Sequence, residues 1–291
     1  MRLGLSVSAI GAGPLGSSAA FVGTLDAYTS GIAGAWSVAR RLLSSYAGSL
    51  IRVRRSSDST EQDIGYNSTT GLLDTVSLLA FVGAGDGYVT KIYDQSGLGR
   101  DFVQSTASAQ CCVVASGSLL TLGGTPTMNT TSSAQGYATA TFTAYTGVVI
   151  SAFMRASIAN NMVYNRMLGM ALNDGTDYSP ISNGMLFARN ASTLALMSYR
   201  TAARASAAIA GYNTQFVSSA IYDGATCAVD TGTATNSGAF TNACNINQFY
   251  SGGYLGGGAF NSGIGDMWAE AVIYTTDKSS AKSAIRTALT P

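Results

Sequence analysis

The chain has 291 residues, with 16 Lys and Arg against 15 Asp and Glu for a net charge of +1, and it contains no histidine. Near-neutrality excludes an electrostatic nucleic-acid surface. The missing histidine excludes His-held metal centres and Ser-His-Asp triads, so any acid–base chemistry falls to carboxylates. Only 11% of residues are charged, 46% are apolar and 34 are Gly, a composition that favours short strands and frequent turns. The sparse charge has two readings: a surface covered by neighbouring copies, or a Ser/Thr/Asn exterior that is polar without charge.

The first 18 residues, MRLGLSVSAIGAGPLGSS, form a modestly apolar run broken by Ser, Gly and Pro, unlike a secretory leader. Residues 1–30 are expected to form an extended arm that clasps a neighbour or packs on its own domain, and residues 31–291 a single domain. Trp36, Ala39, Leu43 and Tyr46 recur at helical spacing and predict an amphipathic helix over Ala35–Tyr46. Ser49–Arg54 alternates as a strand. Arg52, Arg54 and Arg55 are followed by Asp58, Glu61 and Asp63, a solvated ion-pair patch. Asp74 is placed to cap a helix over Thr75–Phe81, with Val76, Leu79 and Ala80 facing inward. Gly83 to Gly87 then turn into a strand, Tyr88–Tyr93. This Gly-rich turn precedes its strand and lacks a following Lys-Ser/Thr pair, so it is no nucleotide loop.

From Cys112 onward, strands are expected at 119–122, 137–142, 147–155, 167–172, 184–188, 194–199, 215–222, 226–231 and 246–250, the spacing of a sandwich or barrel. GDMWAEAVIY, residues 265–274, reads as a closing central strand. A terminal helix follows from Ser279 to Ala288, with Ala281, Ile285 and Leu289 inward. No apolar run is long enough to span a bilayer, so no membrane partner is expected. Neither a metal nor a cofactor is expected.

KIYDQSGLGRDFVQ, residues 91–104, packs a strand, a turn and a second strand entry together. Asp94, Ser96, Gly97 and Gly99 suit a turn, so Asp94 reads as a turn-former before it reads as a catalyst. This motif (Tyr93, Asp94, Gln95, Ser96 and Gly97), Leu-Leu-Ser-Ser-Tyr-Ala-Gly at 42–48 and Val-Arg-Arg-Ser-Ser-Asp at 53–58 resemble the catalytic domain of the α-L-arabinofuranosidase B family. The similarity is clear over about residues 35–110 and weaker to the C-terminus. It implies an all-β, concanavalin/laminin-G-like jelly-roll sandwich with a few short peripheral helices. The Gly-rich start, Leu-Asp-Ala-Tyr at 25–28 and the block that follows also resemble phage and prophage virion proteins carrying that domain.

The resemblance further implies a nucleophilic Glu at the position of Ser182, in Ile181-Ser182-Asn183-Gly184-Met185, and an acid/base Asp within Gly252 to Ala259, where none stands. Both catalytic positions thus read as vacated, and no catalytic residue is assigned. Glu270, with Trp268 in the last strand, matches a family Glu outside the catalytic pair and is expected to be structural. Tyr178, Ser182, Asn183 and Tyr254 are the candidate glycan contacts. Asp174 and Asp177 read as a plain loop or a cation-binding one. Cys111 and Cys112 are expected as thiols in place of the family's adjacent cystine, while Cys227 and Cys244 are left open. The expected function is a non-catalytic virion structural protein, a head decoration or tail component present in many copies among other virion proteins and assembled in the host cytoplasm. The alternatives are a module recognising host-surface glycan and a working arabinofuranosidase.

Overall fold

The computed structural model describes residues 20–132, 134–158, 166–172, 184–189, 195–200, 203–239, 244–251 and 266–291. Nineteen of the described strands form one hydrogen-bonded system. They are β1 (Ile32–Ser37), β2 (Ile51–Arg55), β3 (Glu61–Ile64), β4 (Gly87–Ile92), β5 (Phe102–Val103), β6 (Cys112–Ala115), β7 (Ser118–Leu119), β8 (Met128–Asn129), β9 (Tyr137–Ala138) and β10 (Ile150–Ser157). The series continues with β11 (Arg166–Ala171), β12 (Gly184–Arg189), β13 (Ala195–Arg200), β14 (Ala203–Ala208), β15 (Phe216–Tyr222), β16 (Thr226–Asp230), β17 (Thr235–Ala239), β18 (Gln248–Ser251) and β19 (Met267–Tyr274). Two helices, α1 (Thr75–Val82) and α2 (Lys282–Leu289), lie on the outside.

The pairings are antiparallel and fall into two layers. One runs β1, β19, β10, β15, β16, β17. The other runs β3, β2, β4, β5, β9, β18, β11, β12, β13, β14. Strands β6 and β8 bridge them, since β6 pairs with β4 and β8, and β8 pairs with β19. Trp36, Met154 and Ile273 of the first layer meet Val53, Ile92, Leu168 and Phe249 of the second in one core. The fold is therefore an antiparallel β-sandwich.

Strands β1, β19, β10 and β15 of the first layer are buried on both faces. The outer face of the layer carries Ala35, Phe153, Val217 and Val272, covered by Ile285 and Leu289 of α2 together with Leu25, Leu42 and Leu43. Leu25 thus packs against this chain's own core, and residues 1–19 lie outside the described residues.

Double burial explains one failed expectation. Ala35–Tyr46 is not a helix: residues 32–37 are strand β1, and an irregular segment follows. With Ala35 packing outward and Trp36 inward, both faces of the strand are apolar, and a short run of this kind imitates helical spacing. Helix α1 forms where expected. Asp74 Oδ1 accepts the Ser77 N–H at 3.0 Å and Oδ2 the Ser77 hydroxyl at 2.6 Å. The buried side chains, however, are Leu78 and Val82, whereas Val76 is 80% exposed. The expected ion pairs form at the surface, Arg52–Asp63 and Arg55–Asp58, each at 2.6 Å. Arg54 instead donates to Gln110 and lies over the Tyr88 ring. Strands β14 and β17 have no counterpart in the sequence reading, because ARASAA and TNSGA lack the bulky β-branched or aromatic signal.

Candidate functional site

The 93–97 turn is a staple. Asp94 Oδ1 accepts the N–H groups of Ala35 at 3.0 Å and Ser96 at 2.9 Å; Oδ2 accepts the Ser96 hydroxyl at 2.7 Å and the Arg100 N–H at 3.0 Å. Gln95 Oε1 accepts the Leu42 N–H at 2.6 Å, and its Nε2 donates to the Arg40 carbonyl at 3.1 Å. The Gln95 N–H also donates to the Ala35 carbonyl. Gly97 sits at φ +84°, a conformation that glycine adopts without a steric penalty. The motif thereby ties β4 to β1 and to the segment after it, and Asp94 is fully committed to backbone and turn. Tyr93 donates to Asp63 Oδ1 at 2.7 Å. Burial and that carboxylate push the Tyr93 hydroxyl up to about 12.

Glu270 is completely buried on the outer face of the first layer. Arg40 Nε donates to Oε1 at 2.7 Å and its Nη2 to Oε2 at 3.0 Å; Arg155 Nε reaches Oε2 at 3.3 Å, and the Ser37 hydroxyl reaches Oε1 at 3.2 Å. Burial alone would raise the carboxyl, yet the charges of Arg155 and Arg40 hold it below its ordinary value. Arg40 Nη2 also donates to the Ala288 carbonyl at 2.9 Å, which ties the end of α2 to the cluster. Neither arginine was singled out in the sequence. The available signal was a charged residue inside each of two apolar strands, MWAEAVIY and ISAFMRAS, since charges are rarely buried unless paired. Trp268 is core, edge-on to Phe102 at 6.3 Å.

The candidate glycan contacts Tyr178, Ser182, Asn183 and Tyr254 lie outside the described residues, as do Asp174 and Asp177. The strands that lead to them are described. Ala171 pairs with Gly184 and with Gln248. Ser251 pairs with Leu168, three residues further along β11. The stretches 172–183 and 252–265 therefore leave from opposite ends of β18, about 10 Å apart at 3.3 Å per residue.

The other described carboxylates also serve the fold. Asp26 accepts the Gly23 and Ser44 N–H groups, Asp86 accepts the Ser116 N–H and the Tyr88 hydroxyl, and Asp101 accepts the Asp94 N–H. Asp230 is paired with Lys282 and Arg286, each at 2.7 Å. Glu61, on the exposed face of β3, makes one weak contact, with the Thr90 hydroxyl at 3.3 Å. No group of three or more candidate metal ligands is found among the described residues.

Residues 25–146 match the family model of the alpha-L-arabinofuranosidase B catalytic domain. A probable alpha-L-arabinofuranosidase B of Aspergillus flavus is 38% identical over 112 residues, 36% of this chain and 22% of the relative. An alpha-L-arabinofuranosidase B of Emericella nidulans is 41% identical over 86 residues, 28% of this chain and 17% of the relative. Among solved structures, a mutant GH54 α-L-arabinofuranosidase soaked with 4-nitrophenyl α-L-arabinofuranoside superposes with a TM-score of 0.70 at 19% identity, over 92% of this chain and 65% of the other. An arabinofuranosidase complexed with arabinofuranosyl-α-1,2-xylobiose gives 0.68 at 19% identity over the same shares.

These matches overturn the expectation of a phage virion protein, whether head decoration or tail component. The residues behind that expectation build the domain itself: Leu25 fills the second core, and Asp26 ties residue 23 to residue 44. Packing within this domain accounts for these residues, and they carry no information about assembly. What the comparisons find over residues 25–146 is a match to the alpha-L-arabinofuranosidase B catalytic domain.

Proposed function

We propose that the chain is a glycoside hydrolase acting on α-L-arabinofuranosides, built as a concanavalin/laminin-G-like jelly roll over residues 31–291. The observation that carries this reading is the 38% identity over 112 residues to an arabinofuranosidase B, inside the family match. Fold likeness across 92% of the chain supports it.

Glycoside hydrolysis needs a pair of carboxyl groups, one donating a proton to the leaving oxygen and the other acting as nucleophile or base. Most described carboxylates are engaged in turns, caps and ion pairs. Asp174 and Asp177 are the candidates for that pair. Purified full-length chain is expected to release 4-nitrophenol from 4-nitrophenyl α-L-arabinofuranoside. Asp174→Asn or Asp177→Asn is expected to cut kcat by about 10²-fold or more, the usual scale of an acid or base contribution, while Glu61→Gln serves as the surface comparison. Wild-type chain that folds and releases no product would refute hydrolysis.

One observation favours a second reading, in which the domain holds arabinofuranosyl glycan without cleaving it: Ser182 occupies the position where the family resemblance expects the nucleophile. Retention on immobilised arabinan without product release, lost in Tyr254→Ala, would select that reading.

A further inference from the structure

Among the described residues, the cluster at Glu270 is not neutral. Arg40 and Arg155 bring two positive charges to one carboxylate, and Arg155 and Glu270 are both 0% exposed. Arg40 takes the better share, since it makes both of the shorter bonds. Arg155 Nη2 lies 3.2 Å from Glu270 Oε1 without the alignment of a hydrogen bond, and neither Nη1 nor Nη2 donates to an acceptor. A guanidinium has five N–H donors and cannot shed its charge. Buried charges in folded proteins are paired, and among the described residues Arg155 has only the Glu270 carboxylate, which it shares with Arg40.

A second unused donor lies on the same face. Arg155 pairs in register with Val217, and Phe153 with Ser219, which makes Ser219 a diagonal neighbour of Arg155 across β10 and β15. Such diagonal side chains are about 7–8 Å apart, within reach of a common ligand. The Ser219 hydroxyl is buried and has no hydrogen-bond partner. The Arg155 guanidinium, with two unused nitrogens, and the unpartnered Ser219 hydroxyl thus lie on one face beneath Ile285 and Leu289 of α2, where the in-register neighbour of Ser219, Asp230, is already held by Lys282 and Arg286.

We propose that this is an anion site: a monovalent anion of chloride's size, bound between the Arg155 guanidinium and the Ser219 hydroxyl, supplies the missing counter-charge. The ligand is structural. It is taken up as β10, β15 and α2 close over the first layer, and no bond is made or broken.

The test uses full-length protein in sodium chloride and in sodium gluconate at equal ionic strength. An anion that binds the native state raises Tm as its concentration rises, so the wild type is expected to melt several degrees higher in chloride. Arg155→Gln and Ser219→Ala are each expected to remove the difference. Ser219→Ala is the gentler change and decides the matter should Arg155→Gln fail to fold. Crystals grown in sodium bromide are expected to show anomalous scattering in contact with Arg155. Equal Tm in the two salts, a chloride effect undiminished in Ser219→Ala, or bromide found only elsewhere would overturn the site.

Discussion

Glu270 is the residue on which the outer face of the first layer depends, because its carboxylate is the counter-charge among the described residues for a fully buried Arg155 and for Arg40. Replacing it with Gln keeps the shape and removes the charge. Breaking a buried pair from one side costs about 3–5 kcal/mol, far above a surface pair. The same group makes stability depend on pH with a definite sign. Its folded pKa lies below the ordinary glutamate value of 4.5, so its contribution is complete above pH 4.5 and is lost as pH falls through the folded value. Urea unfolding at a series of pH values is expected to show stability falling below pH 4.5 in the wild type, with a shallower fall in Glu270→Gln. Equal slopes in the two proteins would mean that other carboxylates carry the acid sensitivity.

At the scale of elements, α1 shows what periodicity can and cannot resolve. Its start was legible because Asp74 followed by Ser77 is local capping chemistry. Its buried face was not, since every residue but two in TVSLLAFV is apolar and the pattern does not favour one side. The structure resolves this through packing, with Leu78 at 0% and Val76 at 80% exposure. Leu78→Ala is therefore expected to cost about 2–5 kcal/mol through the cavity it leaves, and Val76→Ala to stay within about 0.5 kcal/mol. Similar losses measured by urea unfolding would count against this orientation of the helix. Strand β1 poses the same difficulty more severely, because burial on both faces erases the alternation that identifies most strands. Its identity comes from partners remote in sequence: the β19 ladder and the Asp94 bond to Ala35.

For the whole molecule, the β-sandwich was legible from many short strands and turn residues, and the Tyr93–Gly97 motif from its turn chemistry. The candidate site was less legible. Ser182 and Asn183 were assigned by position within a family resemblance and Tyr178 and Tyr254 as aromatics able to stack on sugar, and sequence spacing says nothing of the opposite ends of β18 from which their stretches depart. The thiols report on the integrity of the whole. Cys111 and Cys112 lie where β6 bridges the two layers, 1% and 4% exposed, and burial pushes their thiols up to about 12 and about 11. The Cys111 N–H is held at 2.8 Å by the Tyr137 hydroxyl, which itself donates to the Val89 carbonyl. A thiol that is both inaccessible and protonated reacts only when its surroundings open, and opening the bridge between layers means opening the sandwich. Labelling of Cys111 and Cys112, followed by peptide mass spectrometry, is therefore expected to track global stability and to accelerate with urea. If Glu270→Gln loses about 3 kcal/mol, the same sites should label about 10²-fold faster in it when reclosing outpaces reaction. Labelling that is rapid in the native wild type and indifferent to urea would place these thiols at a locally open edge and would break the link between the bridge and the two-layer core.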